Sequence, residues 1–387
     1  LKPRGAICNL DCSYCYFLSK QDLYPGSRFH MPDETLQTFT AQYIEAQPHD
    51  EVGFGWQGGE PTLMGLDFFK RAVELQRRNR RPSTRVSNSL QTNGTLLDDE
   101  WCVFLKDNDF LVGISIDGPK AYHDAYRVDK GGNPTFDQVM AGLDLLKKHG
   151  VEFNILTTVH AANDNHGLEV YKFLRDDVEG QFLQFIPIVE RDNQTGFQEG
   201  TQVTPRSVSA NGFGRFMTEV FEEWVCHDVG RVFVQLFDVA LAAWVGAPPS
   251  LCVFAETCGN ALALEHNGDL YSCDHFVEPD HLLGNIGQHQ LTTLVNSPQQ
   301  RAFGVAKRDT LPNQCLECEV RFVCNGGCPK NRFVTTSDDQ PGLNYLCDSY
   351  RPFFNHIRPA MDFMAAELAA RRPPANVMEL MARGDNR

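Results

Sequence analysis

The first 230 residues alternate short apolar runs with amphipathic stretches. This pattern is typical of strands and helices repeated around a parallel sheet. Six strands are predicted, each followed by a helix: residues 5–8 with their upstream neighbours, 51–56, 85–90, 111–116, 151–159 and 182–189.

The clearest helix is predicted over residues 135–149. Its apolar side chains recur at spacings of three and four and so share one face, as for Phe136, Val139, Met140, Leu143 and Leu146. Gly150 follows as the residue that ends the helix. Two further helices are predicted over residues 213–227 and 233–245.

The pattern changes after about residue 232. The following stretch is rich in Gly, Asn and Asp and predicts loops, with a turn at residues 267–269. Residues 351–383 return to apolar and charged positions at helical spacing. We therefore predict three parts: an α/β domain over residues 1–232, a loop-rich domain over 233–350 and a helical tail over 351–387.

Parallel strands joined by helices place functional loops at the carboxyl ends of the strands. The polar and cysteine-containing segments of this chain follow predicted strands in just this way. They are residues 8–15 after the first strand, 57–61 after the second, 91–94 after the third and 117–119 after the fourth.

Charge and hydropathy exclude several classes of protein. Asp and Glu number 50 against 35 Lys and Arg, which gives a net charge of −15, and the basic residues are mostly scattered, so no nucleic-acid partner is predicted. No run of 18 apolar residues and no signal pattern occurs, so a cytoplasmic protein without a membrane span is expected. The first residue is Leu, so a few preceding residues are expected.

Eleven of the 13 cysteines fall into two blocks. Three lie near the start, Cys8, Cys12 and Cys15. Eight lie near the end: Cys252, Cys258, Cys273, Cys315, Cys318, Cys324, Cys328 and Cys347. Because a 4Fe-4S cluster normally takes four thiolates, three leave one iron open, whereas eight complete two clusters.

Other uses of these thiols stay open on spacing alone. The triplet could form a zinc knuckle or remain unpaired, and the eight could hold two four-cysteine zinc sites. Disulfides are rare in the cytoplasm, so metal or redox chemistry is favoured. The remaining two, Cys102 and Cys226, lie on predicted helices between apolar neighbours and are expected to be buried structural thiols.

The segment Cys8-Asn-Leu-Asp-Cys12-Ser-Tyr-Cys15 resembles the signature of radical S-adenosylmethionine (SAM) enzymes. The resemblance implies that the open iron binds SAM, which a reduced cluster cleaves to a 5'-deoxyadenosyl radical. Residues 58–61 resemble the GGEP motif of that superfamily, whose backbone and carboxylate meet the SAM amino group. The resemblance implies a set of SAM-binding residues: Tyr14, Gly59, Ser115 and Arg127, with Val189 lining the adenine.

The eight later cysteines resemble those of the SPASM domain found in radical SAM enzymes that modify peptides and proteins. The resemblance implies a first auxiliary cluster on Cys252, Cys258, Cys273 and Cys328. It implies a second on Cys315, Cys318, Cys324 and Cys347. Full thiolate ligation would make both clusters electron carriers.

Nearly the whole chain resembles the anaerobic sulfatase-maturating enzymes. The stretches that carry the resemblance include WQGGEPTL at 56–63, NSLQTNGTL at 88–96, FLVGISIDGPK at 110–120 and YSCD at 271–274. Asp274 directly follows a cluster cysteine, and its counterpart in the family is the base that removes a proton from the substrate. One departure is that relatives show Phe then Tyr after the third cysteine, whereas this chain has Tyr16 then Phe17, so a tyrosine hydroxyl near the substrate is expected to be missing.

The resemblance implies a partial (β/α)6 radical SAM barrel, a SPASM domain and a helical tail, with three 4Fe-4S clusters and SAM. The expected activity is oxidation of an active-site Cys or Ser of a sulfatase to Cα-formylglycine. The expected partners are an unfolded or peptide-like segment of the sulfatase and an electron donor such as flavodoxin or ferredoxin. Two alternatives stay open: a SPASM enzyme that crosslinks or epimerises a ribosomal peptide, and a zinc-stabilised binding protein without catalysis.

Overall fold

A six-stranded parallel sheet forms the first part of the computed structural model, which describes residues 1–384. The strands pair in chain order, so each crossover returns to the neighbouring position. They are β1 Glu51–Trp56, β2 Arg85–Thr92, β3 Phe110–Ser115, β4 Phe153–Val159, β5 Phe182–Pro187 and β6 Phe233–Val234. The predicted partial (β/α)6 architecture is confirmed.

Helices cover the sheet between these strands. They are α1 Asp33–Ala46, α2 Leu66–Asn79, α3 Asp99–Asp107, α4 Lys120–His123, α5 Phe136–His149, α6 Gly167–Lys172, α7 Gly212–His227 and α8 Gln235–Trp244. The prediction for α5 is confirmed, since Val139, Leu143 and Leu146 are buried and Gly150 ends the helix with φ 63°. Only glycine adopts that left-handed conformation readily.

Two sequence predictions about the sheet are wrong. Residues 5 and 6 lie in a turn, and residues 7 and 8 have no regular structure. At the chain start, Leu1 lies against the end of β1, where it donates to the Gly55 carbonyl and accepts from the Gln57 amide. The sixth strand is β6, which was predicted as the start of a helix. It is two residues long and pairs with Phe182 and Leu183, too short to show a periodic pattern.

The cysteine-rich part contains small antiparallel sheets and short helices. Its strands are β7 Ala263–Leu264, β8 Asp269–Tyr271, β9 Leu282–Asn285, β10 Val334–Thr335 and β11 Pro341–Leu343. Its helices are α9 Leu291–Val295, α10 Pro298–Asp309, α11 Asn313–Leu316 and α12 Arg321–Cys324. The long helix α13 Cys347–Ala369 and the final α14 Val377–Gly384 form the predicted helical tail. Since α13 continues across residue 350, the domain limits at 232 and 350 stay predictions.

The chain start and the cysteine-rich part share a small core of their own. Ala6 and Phe17 pack there with Ala263, Tyr271 and Val277. Lys2 also forms a parallel bridge with Glu265 next to β7. The cysteine loop is therefore fixed against the later domain as well as against the sheet. No helix within residues 1–384 is both long and apolar enough to cross a bilayer.

The tail helix α13 packs closely on α7 of the barrel. A Cβ atom at Gly214 of α7 would lie 2.6 Å from the carbonyl oxygen of Ser349 in α13. The Ser349 hydroxyl donates to the Ala210 carbonyl at 2.7 Å, just before α7 begins. The absence of a side chain at Gly214 is what permits this contact.

We expect Gly214→Ala to destabilise the fold by roughly 1–3 kcal/mol, because the added methyl group forces α13 away from α7. The gain in helix propensity from alanine, about 1 kcal/mol, offsets part of this cost. Thermal unfolding followed by circular dichroism under anaerobic conditions measures the change. The neighbouring exposed position supplies the control, Arg215→Ala, which should change stability by less than about 0.5 kcal/mol. A Gly214→Ala variant as stable as the control would contradict the packing argument.

Candidate active site

The loop that carries the first three cysteines is hydrogen-bonded to the loop that follows β1. Gly59 donates its amide to the Gly5 carbonyl and Glu60 donates to the Ile7 carbonyl, both at 2.8 Å. A Cβ at Gly59 would lie 1.9 Å from the Ile7 carbonyl oxygen, so only glycine fits there. Gly59 thus lies directly against the backbone of the cysteine loop.

Cys8 accepts two hydrogen bonds through sulfur. The Leu10 amide donates at 3.3 Å and the Asn93 side chain at 3.7 Å. Asn93 also donates to Asn9, which in turn donates to Thr95, so the loop after β2 is tied to the cysteine loop. Burial raises the pKa of the Cys8 thiol to about 12 and that of Cys12 to about 11. Binding a metal would require these protons to leave.

The Glu60 carboxylate of the GGEP-like segment is held by residues of the loops after β1 and β2. The side chain is buried and accepts from the amide and hydroxyl of Thr62, the hydroxyl of Thr92 and the amide of Asn93. These four donors satisfy a buried carboxylate. Glu60 therefore fastens the loops after β1 and β2 together.

A buried charge cluster lies behind Tyr14 and Arg127. Arg127 donates two hydrogen bonds to the Asp117 carboxylate, from Nε at 2.8 Å and from Nη2 at 3.2 Å. The Tyr14 hydroxyl donates to the same carboxylate at 2.5 Å, and the Thr158 amide donates at 2.9 Å. Burial alone would raise the pKa of Asp117, but the Arg127 and His160 charges outweigh it and hold the pKa well below its usual value. Asp117 is therefore the anionic centre of this cluster.

The sequence did not indicate that Asp117 would be the partner of Arg127. In the sequence, Asp117 is only the first residue of a loop after a predicted strand. Ten positions separate the two residues in the chain, and no short motif relates them. The sequence signal that could have identified Asp117 is an acidic residue directly after an apolar strand, because a carboxylate buried there needs a charged or hydrogen-bonding partner.

Ser115 and Val189 lie at the same edge of the sheet as the cysteine loop. Ser115 is the last residue of β3 and accepts a hydrogen bond from Gln91 at 3.1 Å. Val189 is buried two residues beyond β5. The structure therefore brings the five predicted SAM-binding positions to the carboxyl edge of the sheet.

Asp274 is held by two residues from the chain start. The Lys2 ammonium lies 2.5 Å from Oδ1, and the Tyr16 hydroxyl donates to Oδ2 at 2.6 Å. Burial by itself would raise the pKa of Asp274. The Lys2 and His275 charges and the hydrogen bonds from Lys2 and Tyr16 outweigh it and lower the pKa below its ordinary value. Asp274 is thus kept ionised directly after Cys273.

A tyrosine hydroxyl reaches Asp274 despite the departure at residues 16 and 17. Tyr16 supplies the hydroxyl to Asp274 from the position directly after Cys15. Phe17 instead turns into the small core, where the Lys2 ammonium lies 3.7 Å from the centre of its ring. Lys2 was missed altogether, because 272 positions separate it from Asp274 and nothing local marks it.

The eight later cysteines form two groups, and the charge on one thiol would act on the other thiols of its own group. Cys252, Cys258 and Cys273 each have Cys328 as a charge neighbour. Cys324 and Cys347 instead have Cys315 and Cys318 as neighbours. These groups have the same members as the two implied ligand sets. We call them the first and the second cysteine group.

The second cysteine group lines one mostly apolar cavity. All four of its thiols face this space, together with Tyr350 and Leu343. Gln314 donates to the Cys347 sulfur at 3.8 Å. A cavity surrounded by four thiols suits a cubane cluster, which takes one thiolate at each iron. Within residues 1–384, no three His, Cys, Asp or Glu side chains lie close enough to hold a single metal ion.

The two other cysteines are separate from these groups. Cys102 of α3 is fully buried in the core, and burial raises the pKa of its thiol to about 11. This confirms the prediction of a buried structural thiol. Cys226 near the end of α7 is half-buried and packs at the border of the same core.

Two protein-family models match this chain, one in the part with the cysteine triplet and one in the later cysteine-rich part. A model of the radical SAM superfamily matches residues 3–174, and a model of the SPASM family, described as an iron-sulfur cluster-binding domain, matches residues 252–319. A serine-type anaerobic sulfatase-maturating enzyme of Bacteroides thetaiotaomicron is 47% identical, over 99% of this chain and 95% of its own length. A cysteine-type enzyme of Clostridium perfringens is 34% identical, over 93% and 96% respectively.

Solved structures give the same result. Native anSMEcpe with bound AdoMet superposes with a TM-score of 0.85 at 33% identity, covering 94% of this chain and 98% of that one. The same protein with AdoMet and the Cp18Cys peptide gives a TM-score of 0.84 at 34% identity, over 95% and 98%.

We expect Asp117→Asn to destabilise the protein by about 3–5 kcal/mol, because Arg127 would remain buried without its counter-charge. The measurement is the free energy of unfolding in urea, taken anaerobically. Asp107→Asn, at the exposed end of α3, is the matched control and should stay within about 0.5 kcal/mol of the parent. Equal stability of the two variants would show that Arg127 does not depend on Asp117.

Proposed function

Because the chain belongs to the anaerobic sulfatase-maturating enzymes of the radical SAM superfamily, we propose that it oxidises an active-site Cys or Ser of a sulfatase to Cα-formylglycine. The observation that carries the proposal is the position of Asp274. Its carboxylate contacts Tyr16, next to the cysteine triplet, and it directly follows Cys273 of the first cysteine group. A proton acceptor therefore lies between the two places where radical and redox chemistry are proposed.

We assign the three cysteine sets to three 4Fe-4S clusters. The triplet would hold one with an open iron, and the first and second cysteine groups would hold one each. When bound, these clusters and SAM supply a carbon-centred radical and an electron acceptor. The division of the thiols into groups of three, four and four supports the assignment, as does the match to an iron-sulfur domain. A small electron carrier such as flavodoxin or ferredoxin would supply the reducing electron.

We assign SAM binding to Tyr14, Gly59, Ser115, Arg127 and Val189. Asp117 takes two nitrogens of Arg127, so its hydrogen bonds fix the plane of the guanidinium. Nη1 is the Arg127 nitrogen that Asp117 does not use, and it is the one we assign to the SAM carboxylate. Asp117 is in this view the residue that positions Arg127.

We assign proton removal to Asp274. Oxidation of the substrate side chain to an aldehyde or thioaldehyde removes one hydrogen atom, one proton and one electron. The proton is the part that this chain's own residues receive, and an ionised carboxylate can accept it. Lys2 and Tyr16 occupy both oxygens of Asp274, so the substrate thiol or hydroxyl must replace one of them. For a cysteine substrate, hydrolysis of the thioaldehyde then releases hydrogen sulfide.

The proposed activity is tested with paired sulfatase peptides that differ only in Cys or Ser at the target position. Reduced, anaerobic enzyme with SAM should convert at least one peptide to the formylglycine product, with a mass loss of about 18 Da from Cys and about 2 Da from Ser. Mass spectrometry measures both changes, and a peptide with Ala at the target position is the control. Cleavage of SAM with neither peptide altered would contradict the proposal.

We expect Asp274→Asn to lower product formation roughly 100-fold or more, since general-base catalysis contributes at least that much. Cleavage of SAM should fall far less, because it does not need the base. Peptide oxidation and 5'-deoxyadenosine are measured in the same reaction. Asp280→Asn changes an exposed acid in the same segment and should leave both unchanged. Undiminished turnover in Asp274→Asn would remove Asp274 from its assigned role.

A further inference from the structure

A half-buried arginine, Arg332, lies where the two later cysteine groups meet. Its guanidinium donates to four backbone carbonyls. Nε donates to Gly326 at 2.9 Å, and Nη2 donates to Asn325 at 2.8 Å and to Gly327 at 3.2 Å, while Nη1 donates to Lys307. All three nitrogens of the guanidinium are therefore engaged by main chain.

The three residues at 325–327 form the link between the groups. They join Cys324 of the second cysteine group to Cys328 of the first. All three have left-handed backbone conformations, with φ of 46°, 72° and 63°. The successive left-handed turns direct their carbonyls to Arg332, and a Cβ on Gly326 would lie 2.7 Å from Nη2. Arg332 thus holds the segment that joins the two groups by hydrogen bonds to each of its three carbonyls.

Arg332 has electrostatic neighbours in both groups. They are Cys315 and Cys324 of the second group and Cys258 and Cys328 of the first. Among the ion pairs of residues 1–384, none joins Arg332 to a carboxylate. Since a charge removed from water is stabilised by an opposite charge nearby, the thiolates of the proposed clusters would be its counter-ions.

Lys307 of α10 is a second buried cation, and its cysteine neighbours belong to the first group only. It is buried, and its ammonium donates to the carbonyls of Cys252 at 2.6 Å and Val253 at 2.8 Å. Its cysteine neighbours are Cys258, Cys328 and Cys252, all of the first group. It likewise has no carboxylate partner among the described ion pairs. Lys330 is a further cation beside the first group, near Cys328 and Cys273. The second group has Arg321 and the exposed Arg351 beside it as well. Arg332 is the cation that has neighbours in both groups.

We propose that Arg332 is a positioning residue common to both auxiliary clusters, and that its charge raises the reduction potential of both. Lys307 does the same for the first cluster alone. The inference rests on the proposed cluster assignment. A cluster with four thiolates is anionic and gains one more negative charge when it takes up one electron, with no bond made or broken. A nearby fixed cation in a medium of low dielectric constant favours that reduced form.

The consequence for the proposed reaction concerns its electron. The substrate electron would enter the first cluster and pass to the second, and Arg332 lies beside both. Because Arg332 acts on both, its removal should lower both potentials together. Removal of Lys307 should alter the difference between them.

The test measures reduction potentials in the full-length protein by titration monitored with electron paramagnetic resonance. Replacing Cys8, Cys12 and Cys15 with alanine in every sample leaves only the auxiliary clusters. Iron content, about eight atoms per chain for two clusters, verifies loading before each titration. The variants are Arg332→Gln, Arg332→Lys and Lys307→Gln. The control is Arg301→Gln, which removes an exposed cation from the same helix as Lys307.

We expect Arg332→Gln to shift both potentials in the negative direction, Arg332→Lys to stay close to the parent, and Lys307→Gln to shift one potential only. Arg301→Gln should shift neither. Unchanged potentials in loaded Arg332→Gln would overturn the proposal. If Arg332→Gln fails to load, Lys307→Gln and Arg332→Lys decide: no shift in Lys307→Gln, or equal shifts of both clusters, would overturn it.

These outcomes are separate from those of the proposed function. A parent protein without iron would remove the cluster assignment itself. A loaded protein that oxidises neither sulfatase peptide would contradict the activity while leaving the potential shifts intact.

Discussion

The carboxylate of Asp274 joins the two halves of the candidate active site through contacts at both of its oxygens. Lys2 and Tyr16 come from the segment around the cysteine triplet, whereas Asp274 follows a cysteine of the other block. A partly buried carboxylate needs such partners, because charge without compensation is costly away from water. The same contacts that stabilise the charge therefore fix the distance between the triplet and the first cysteine group. The small core of Ala6, Phe17 and Tyr271 encloses this pair on its apolar side.

Close backbone approach is the second constraint on the site. Gly59 lets the loop after β1 lie directly against Ile7, and Gly214 lets the tail helix lie against α7. At both glycines the opposite segment approaches the backbone closely, and hydrogen bonds hold the two segments together. Gly59 donates to the Gly5 carbonyl, and the Ser349 hydroxyl donates to the Ala210 carbonyl. The cysteine loop and the tail are thus held by contacts that tolerate little change in volume.

Much of the fold was predictable because it depends on local pattern. The apolar face of α5, its glycine cap and five of the six parallel strands follow from local sequence pattern. The strand predicted over residues 5–8 failed because its apolar residues pack into a turn against the later domain. The contacts of Glu60, of Asp117 with Arg127 and of Lys2 with Asp274 could not be read from the chain. They depend on where distant segments meet, which only the complete packing decides.

Helix α13 begins at Cys347 itself, and two residues later Ser349 lies against α7. The helix continues for 23 residues and carries much of the apolar packing between the tail and the barrel. One helix thus carries a thiol of the second cysteine group at its first residue and packs on the barrel along its length. The position of that thiol is therefore set by the same packing that holds the tail, without a flexible linker between them.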